Sequence, residues 1–433
     1  MIRPRNPAAT FATDAAYLAA AVASSPVWLV RMGRTGKLRT DWPGRMGAAA
    51  PWPRPEQGGA GRILIHAVSV GEVNAVRPLV EALQAGGAEV AVSATTDTGF
   101  ARAREAFEGR ARVVRWPFDF SWGVRRFLDA VRPDVLVTAE LEVWPSMVAA
   151  CAARGIPVAV VNGRLSDRSI SRYRWAKPVL RGTFRRLSLV LAQTDTYAAR
   201  FRELGVPPER VERSGTMKWD TAVIADAVPG ADRLAGDLGI DRRKPLVVAG
   251  STAPGEEALL RDSLPPEVQL LCAPRKPEWF DAAAADLPGC VRRSRGGRGS
   301  ATGRFLLDTI GELRAAYSLA DVVVVGRTFE LPRPLHGSDM MEPVGLGKAV
   351  IVGPDVANFR ETAECLLTGG GLVQCAAADL PSVLRRLLAD PQERRRLAEE
   401  GRAVIRREQG ATARTASRLL GLLAAARGGA GSR

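Results

Sequence analysis

From residue 62 onward, short apolar runs alternate with helical stretches, and this alternation limits the possible folds more than any other feature. The first series of runs lies at 63–67, 90–94, 113–116, 135–139, 158–161 and 189–192. Apolar strands joined by crossover helices are typical of a parallel sheet that is covered on both faces. The sequence therefore predicts an α/β fold, with ligand sites at the carboxyl ends of the strands.

A second series follows a Gly- and Pro-containing stretch at 226–237, which we interpret as a hinge. Its runs lie at 246–249, 268–272, 305–307, 322–325 and 350–352. The 433 residues thus divide into an N-terminal segment at 1–47, α/β domains at 62–225 and 238–410, and a C-terminal helix and tail at 411–433. Two doubly wound, Rossmann-like domains of this kind predict a central cleft between their carboxyl edges.

The charge balance favours anionic partners. The formal net charge is +15, which suits phosphates, nucleic acid or an acidic membrane surface. Five cysteines without a C-x-x-C pair argue against a disulfide framework, and two histidines exclude a His-rich metal site. The sequence contains no G-x-G-x-x-G, Walker A or G-x-S-x-G motif.

Residues 15–30 carry no charged side chain. Sixteen helical residues reach about 24 Å, less than the ~30 Å hydrocarbon core of a bilayer, and Pro26 interrupts the run. A cleaved signal peptide ending at an Ala21-Val22-Ala23 site and a buried core helix are two interpretations. We favour a third, a short membrane-seated helix, because Trp28 and flanking arginines suit the headgroup level.

The loop after the first strand, Ser69-Val70-Gly71-Glu72, brings a carboxylate to the start of a helix. Glu72 either faces the cleft or complements the helix dipole. The polar turn 95–99 after the second strand either binds phosphate or caps a helix through Thr96 or Asp97.

Two carboxylates, Glu140 and Glu142, directly follow the strand at 135–139. They predict a metal or acceptor site, or else they cap a helix that begins at Pro145. The segment 164–186 is strongly basic, with one acidic residue and several interleaved aromatic and aliphatic side chains. Such a segment indicates a membrane surface or a phosphorylated substrate, whereas the alternative is a solvated charged face.

Loops of the second domain also follow strands. The stretches 250–252, 273–277 and 308–313 each offer backbone N–H groups or a cation at a carboxyl edge, which suits a nucleotide phosphate. Glu342, before Pro343, could accept hydrogen bonds from ribose hydroxyls.

At these residues the chain resembles the 3-deoxy-D-manno-octulosonic acid (Kdo) transferase family, lipid A glycosyltransferases with a GT-B fold. The matching stretches occur in family order. They are 66–72 (HAVSVGE), 95–99, 133–145, 162–166 (NGRLS), 215–220 (GTMKWD), 249–257 (AGSTAPGEE), 274–275, 308–313, 342–343, 353–354 and 358–359.

The resemblance implies CMP-Kdo as donor, the tetraacylated lipid A precursor (lipid IVA) as acceptor, inversion at the anomeric carbon, and Glu72 as catalytic base. It further implies a set of residues that bind the acceptor and a set that bind the donor. The acceptor set is Ser69, Thr95, Thr96, Glu140, Glu142 and Arg164, and the donor set is Lys218, Ser251, Arg275, Gly311, Glu312, Leu313, Asp339 and Glu342. No metal and no cofactor is implied, because cations would meet the leaving phosphate. The expected location is the cytoplasmic face of the inner membrane, on anionic lipids, with no nucleic acid as partner.

The chain departs from the family pattern mainly in its second half. His336-Gly337-Ser338-Asp339 stands where the family usually has Gly-Gly-His-Asn, and Gly326-Arg327-Thr328 stands where it has Gly-Gly-Ser. Lys276 replaces a His, while Thr216 and Ser146 each replace an Asn. Two alternatives therefore remain: a diverged GT-B glycosyltransferase with a different nucleotide sugar and a lipid-linked acceptor, or a basic binding module for nucleic acid or anionic membrane.

Overall fold

The structure is a computed structural model that describes residues 14–15, 18–19, 40–53, 60–296, 299–331 and 333–430. The predicted membrane-seated helix at 15–30 lies outside the described residues, apart from three positions. Within the described ranges, the structure contains no helix with both the length and the apolar character needed to cross a membrane. The chain divides into two compact units, Met1–Thr221 with Gln409–Arg433, and Ala222–Glu408.

The first unit is built on a seven-stranded sheet in which every pair of neighbours is parallel. The strand order is β3-β2-β1-β4-β5-β6-β7, so the direction of winding changes between β1 and β4. The strands are β1 Arg62–His66, β2 Glu89–Ala94, β3 Arg112–Arg115, β4 Val135–Ala139, β5 Val158–Gly163, β6 Leu189–Ala192 and β7 Val211–Arg213. A change of this kind opens a crevice at the carboxyl ends of β1 and β4.

Helices cover both faces of this sheet. They are α1 Trp42–Arg45, α2 Val70–Ala85, α3 Asp97–Phe107, α4 Ser121–Val131, α5 Pro145–Ala153, α6 Asp167–Phe184 and α7 Asp195–Leu204. In α2, the residues Val73, Val76, Leu79, Val80 and Leu83 recur at helical spacing and are buried against the sheet. This packing fixes the start of α2, and with it Glu72, at the carboxyl edge.

The second unit repeats the architecture with the strand order β10-β11-β9-β8-β12-β13-β14. Its strands are β8 Leu246–Thr252, β9 Gln269–Pro274, β10 Val291–Arg292, β11 Arg304–Leu306, β12 Val322–Val325, β13 Ala349–Val352 and β14 Val373–Gln374. Its helices are α8 Ala231–Leu238, α9 Glu256–Ser263, α10 Phe280–Asp286, α11 Leu313–Leu319, α12 Met341–Gly345, α13 Arg360–Thr368, α14 Leu380–Ala389 and α15 Pro391–Glu408. The predicted α/β class with two parallel Rossmann-like sheets is confirmed.

The interpretation of 226–237 as a hinge is wrong for its second half. Helix α8 begins after Gly230 (φ +86°), ends at Gly239 (φ +72°), and buries Leu234 and Leu238. Of the two glycines in this stretch, Gly230 precedes the helix in a left-handed conformation, whereas Gly236 lies within the helix.

The C-terminal helix α16, Ala411–Ala430, packs on the first unit. Its Leu419 and Leu423 are buried in the same core as α2. The Asp220 carboxylate accepts the backbone N–H groups of Gly410 and Thr412, each at 2.6 Å. These charge-assisted bonds satisfy N–H groups at the start of the helix and attach it to the segment that carries Lys218.

Candidate active site

Glu72 is held at the first turn of α2 by both of its carboxylate oxygens. The Val68 N–H donates to Oε2 at 2.9 Å and the Ser69 hydroxyl donates to Oε1 at 3.0 Å, while Ser69 Oγ caps the helix by accepting the Glu72 N–H. This is the S-x-x-E arrangement of a capping box, in which Ser and Glu satisfy N–H groups near the helix start. Glu72 therefore lies at the carboxyl edge of the sheet and also stabilises the start of α2.

Glu72, Glu140 and Glu142 form a carboxylate cluster at the crevice between β1 and β4. Glu140 follows β4 in a left-handed conformation, φ +57°, and its N–H bonds the Val161 carbonyl at 2.9 Å. Burial raises the pKa of Glu72, and the negative charge of Glu140 raises it further. Burial also raises the pKa of Glu142 to about 7, although Trp144 Nε1 donates to this carboxylate at 2.9 Å. The cluster can therefore hold a proton near neutral pH.

His66 lies beneath this edge and was not predicted as a functional residue. It is fully buried and stacked on Trp116, with ring centroids 3.8 Å apart. Its ring nitrogens lie 3.1 Å from Ser93 Oγ and 3.2 Å from Thr95 Oγ1. Burial lowers the pKa of His66 to about 3, so the ring is neutral and positions the Thr95 hydroxyl. The signal in the sequence is a rare histidine, one of two, at the end of an apolar strand.

Thr96 caps helix α3. Its hydroxyl accepts the Gly99 N–H at 3.0 Å and donates to the Val68 carbonyl at 2.9 Å. The carboxylate of Asp97 pairs with Arg115 at 3.0 Å and Arg45 at 3.3 Å. Thr96 thus ties the polar turn to the loop that presents Glu72, whereas Asp97 ties it to β3 and α1.

Arg164 and Lys218 lie near the end of β5. Arg164 directly follows β5 and is exposed. Asn162 (φ +52°) accepts the Met217 N–H at 3.3 Å, which brings the short 3₁₀ segment Met217–Thr221 to this strand end. Lys218 in that segment is half-buried and belongs to the first unit.

In the second unit, the predicted donor residue Ser251 has φ +60° and the loop beside it is fixed by a buried carboxylate. Glu256 is 1% exposed and accepts the N–H groups of Ala253, Arg327, Thr328 and Phe329 at 2.7–3.3 Å. Burial raises the pKa of Glu256 against the opposing effect of these donors. The loops after β8 and β12 are thereby joined.

Arg275 follows β9, where its backbone N–H donates to the Thr252 carbonyl at 3.0 Å. Its side chain is exposed, and no described residue forms a hydrogen bond or ion pair with its guanidinium. The cation is therefore available to a ligand at the carboxyl edge.

The turn Gly311-Glu312-Leu313 precedes α11, with Gly311 at φ +97°. The Glu312 carboxylate accepts three hydrogen bonds from Arg293, two from Nε and one from Nη2, at 3.0–3.2 Å, and one from the Thr309 hydroxyl at 2.5 Å. The Arg293 guanidinium holds the pKa of Glu312 below its usual range. Because the Glu312 carboxylate is occupied by Arg293 and Thr309, we expect the turn to contact the nucleotide sugar through its backbone.

Glu342 and Asp339 lie at the start of α12. Asp339 Oδ1 accepts the Met341 N–H at 2.9 Å, and the Glu342 carboxylate is 3.5 Å from Arg314. Burial raises the pKa of Glu342, and the charge of Asp339 adds to the effect. Glu342 is half-buried, and its ion pair with Arg314 is long. Its carboxylate oxygens can therefore still accept hydrogen bonds from a ligand.

Across the described ranges, no three His, Cys, Asp or Glu side chains are grouped in a way that could hold a metal ion.

Comparison with known proteins identifies the family of this chain. The model of the 3-deoxy-D-manno-octulosonic-acid transferase (kdotransferase) family matches residues 40–221. A 3-deoxy-D-manno-octulosonic acid transferase from Bordetella pertussis is 33% identical over 419 residues, which cover 90% of this chain and 94% of that protein. The chain belongs to the 3-deoxy-D-manno-octulosonic acid transferase family. The Haemophilus influenzae member is 31% identical, over 85% of this chain and 87% of its own length.

A solved structure supports the fold of this transferase family member. The crystal structure of the glycotransferase of kitacinnamycin superposes with a TM-score of 0.50 at 15% identity, covering 84% of this chain and 99% of its own. The chain is a glycosyltransferase with the predicted GT-B-like pair of Rossmann-like domains.

Proposed function

We propose that this chain transfers Kdo from CMP-Kdo to the lipid A precursor lipid IVA, with inversion at the anomeric carbon. Membership of the Kdo transferase family supports the substrates. The observation that carries the mechanism is the carboxylate of Glu72, half-buried and held by two hydrogen bonds at the crevice of the first sheet. The reaction as proposed needs neither a metal nor a cofactor.

Glu72 is the proposed general base. It takes the proton of the attacking acceptor hydroxyl as that oxygen forms its bond to the anomeric carbon. The bond from this carbon to the phosphate oxygen breaks, and its electron pair leaves with CMP, a stable phosphate that needs no acid. Because burial and the Glu140 charge raise the pKa of Glu72, the carboxylate is a stronger base than an ordinary Glu.

We expect the acidic limb of the kcat/KM profile to lie above the pH at which an ordinary Glu titrates, because Glu72 must be deprotonated to act. In Glu140→Gln the neighbouring negative charge is removed, so the pKa of Glu72 falls and the limb moves to lower pH. The measurement is kcat/KM against pH for both proteins. Glu81→Gln, on the same helix but far from the cluster, should leave the limb in place. If the acidic limb of the Glu140→Gln profile lies at the same pH as that of the wild type, the assignment of Glu72 as the general base is contradicted.

The alternative, a diverged GT-B glycosyltransferase, differs from the proposed Kdo transferase in its nucleotide-sugar donor. The replacements at 326–328 and 336–339 fall in the second unit, so a diverged enzyme would keep the first unit and change its nucleotide. Titration of the full chain with CMP and with UDP separates the two. We expect CMP to bind and to inhibit transfer, whereas tighter binding of UDP would favour the different nucleotide sugar.

We further propose that helix α6 meets anionic lipids at the cytoplasmic face of the inner membrane. Trp175 and Val179 lie one turn apart on its surface and are 88% and 79% exposed. Exposed basic side chains accompany them, at Arg172, Arg181 and Arg185. Large apolar groups among cations suit an interface of acyl chains and acidic headgroups, and the same cations could meet the phosphates of the acceptor.

Trp175→Ala is expected to weaken binding of the full chain to vesicles that contain phosphatidylglycerol by about tenfold, because an inserted indole buries a large apolar area. Sedimentation with vesicles measures it. Trp122→Ala removes another tryptophan, 50% exposed, from the same unit and serves as the control. Equal binding by Trp175→Ala and the wild type would rule out this surface.

A further inference from the structure

Arg327 occupies an unusual backbone position at the end of β12. Its φ of +61° is in the left-handed region, which a long side chain seldom adopts. Gly326 before it lies so close to Thr252 that a Cβ would approach the Thr252 Cα to 2.5 Å. The N–H of Arg327 donates to the buried Glu256 carboxylate at 2.7 Å. Strain of this kind persists where the surroundings impose it, and it concentrates at ligand sites.

No described carboxylate forms an ion pair with the guanidinium of Arg327, although the charges of Glu256 and Asp355 lie near enough to act on it. Nη2 donates to the Gly337 carbonyl at 2.5 Å, whereas Nε is buried and has no hydrogen-bond partner among the described residues. Both nearby carboxylates are engaged elsewhere, since Glu256 accepts backbone N–H groups and Asp355 accepts the His336 N–H at 2.6 Å. The described residues therefore use only part of the hydrogen-bonding capacity of this half-buried cation.

Arg275 supplies a second cation at the same edge. It follows β9, and Arg327 follows β12; these strands flank β8 on its two sides. Burial lowers the pKa of Arg327, and the like charge of Arg275 lowers it further. Two guanidinium groups that follow the strands on either side of β8, at one carboxyl edge, suit an anionic group.

We propose that Arg327 and Arg275 together bind the phosphate of the donor nucleotide. The inference rests on the proposed function, because the phosphate is that of CMP-Kdo. As the bond between the anomeric carbon and the phosphate oxygen breaks, negative charge grows on that oxygen, and the two guanidinium groups stabilise it. Arg327 stands where the family pattern has Gly, which has no side chain, so the family pattern does not include this contact.

Binding of CMP, UMP and cytidine to the full chain tests the inference by calorimetry. Arg327→Gly is the informative variant, because Gly adopts φ +61° without strain and the loop should remain intact. We expect CMP affinity to fall about 10- to 100-fold, the scale of a lost charged hydrogen bond. Cytidine, which has no phosphate, should bind as before, and the melting temperature should not fall. Arg327→Lys should recover part of the affinity, and Arg333→Ala, an exposed arginine of the same loop, should match the wild type.

The possible results separate the inference from the function. If wild-type protein binds UMP instead of CMP and Arg327→Gly weakens UMP, the donor proposal fails and the phosphate site stands. If Arg327→Gly binds CMP as the wild type does, Arg327 does not bind the phosphate, even if it contacts the sugar carboxylate. Failure of all three ligands to bind the wild type would also overturn the inference.

Discussion

Glu72→Gln is expected to lower the rate of Kdo transfer by about 10²–10⁴-fold, the usual loss when a general base is removed. Gln cannot take the proton of the acceptor hydroxyl, but its amide oxygen still accepts the Val68 N–H. A capping box accepts Glu or Gln at this position, so the start of α2 should survive. Steady-state kinetics of the purified variant, together with its melting temperature, measure the two roles separately.

The matched control for this variant is Glu81→Gln, which makes the same chemical change on the same helix at a side chain that is 49% exposed. It should leave rate and stability unchanged. If Glu72→Gln keeps near-normal turnover, Glu72 is a capping residue only and the mechanism is wrong. If its melting temperature falls markedly, the loss of rate would not identify a base.

Glu256→Ala is expected to destabilise the second unit by about 3 kcal/mol or more, because it leaves the backbone N–H groups of Ala253, Arg327, Thr328 and Phe329 without an acceptor. For a unit of this size, that corresponds to a fall in melting temperature of roughly 6–12 °C. Differential scanning calorimetry can follow each unit if the two unfold separately. CMP affinity should fall as well, since the loop that carries Arg327 loses its anchor.

Glu267→Ala is the control for this effect, because Glu267 is exposed in the same unit and makes no described hydrogen bond or ion pair. It should shift the transition by less than about 0.5 kcal/mol. An unchanged transition in Glu256→Ala would mean that water replaces the carboxylate without cost, and the loop would not depend on it.

The fold followed from the sequence because a parallel sheet leaves a direct pattern. Strand β12 consists of four buried valines, and β1, β4 and β8 each contain a buried apolar run, at 63–65, 135–137 and 246–249, so the strands appear as hydrophobic runs in the sequence. The short edge strands β10 and β14, two residues each, have too few residues to make such a pattern. The stretch 226–237 suggested a hinge because Gly230, at a helix boundary, and Gly236, within the helix, are residues that also occur in linkers.

The candidate site was only partly predictable. That Glu72, Glu140 and Glu142 share an edge follows from strand order, whereas the raised pKa of Glu142 depends on burial that only tertiary structure supplies. Capping by Thr96 was one of the two interpretations of the turn and is confirmed, whereas the pairing of Glu312 with Arg293 could not be predicted, because a guanidinium partner 19 residues away is not visible in local sequence. Arg327 could be seen as a departure from the family pattern, but its strained backbone and unpartnered Nε could not.

The most direct test of the account is the product of a single reaction. The purified full chain is incubated with freshly generated CMP-Kdo and tetraacylated lipid A precursor, and the lipid is analysed by mass spectrometry beside an identical incubation with Glu72→Gln. The account predicts a mass gain of one or more Kdo units with the wild type and almost none with the variant. No gain while the donor remains intact, or an equal gain with both proteins, would contradict it.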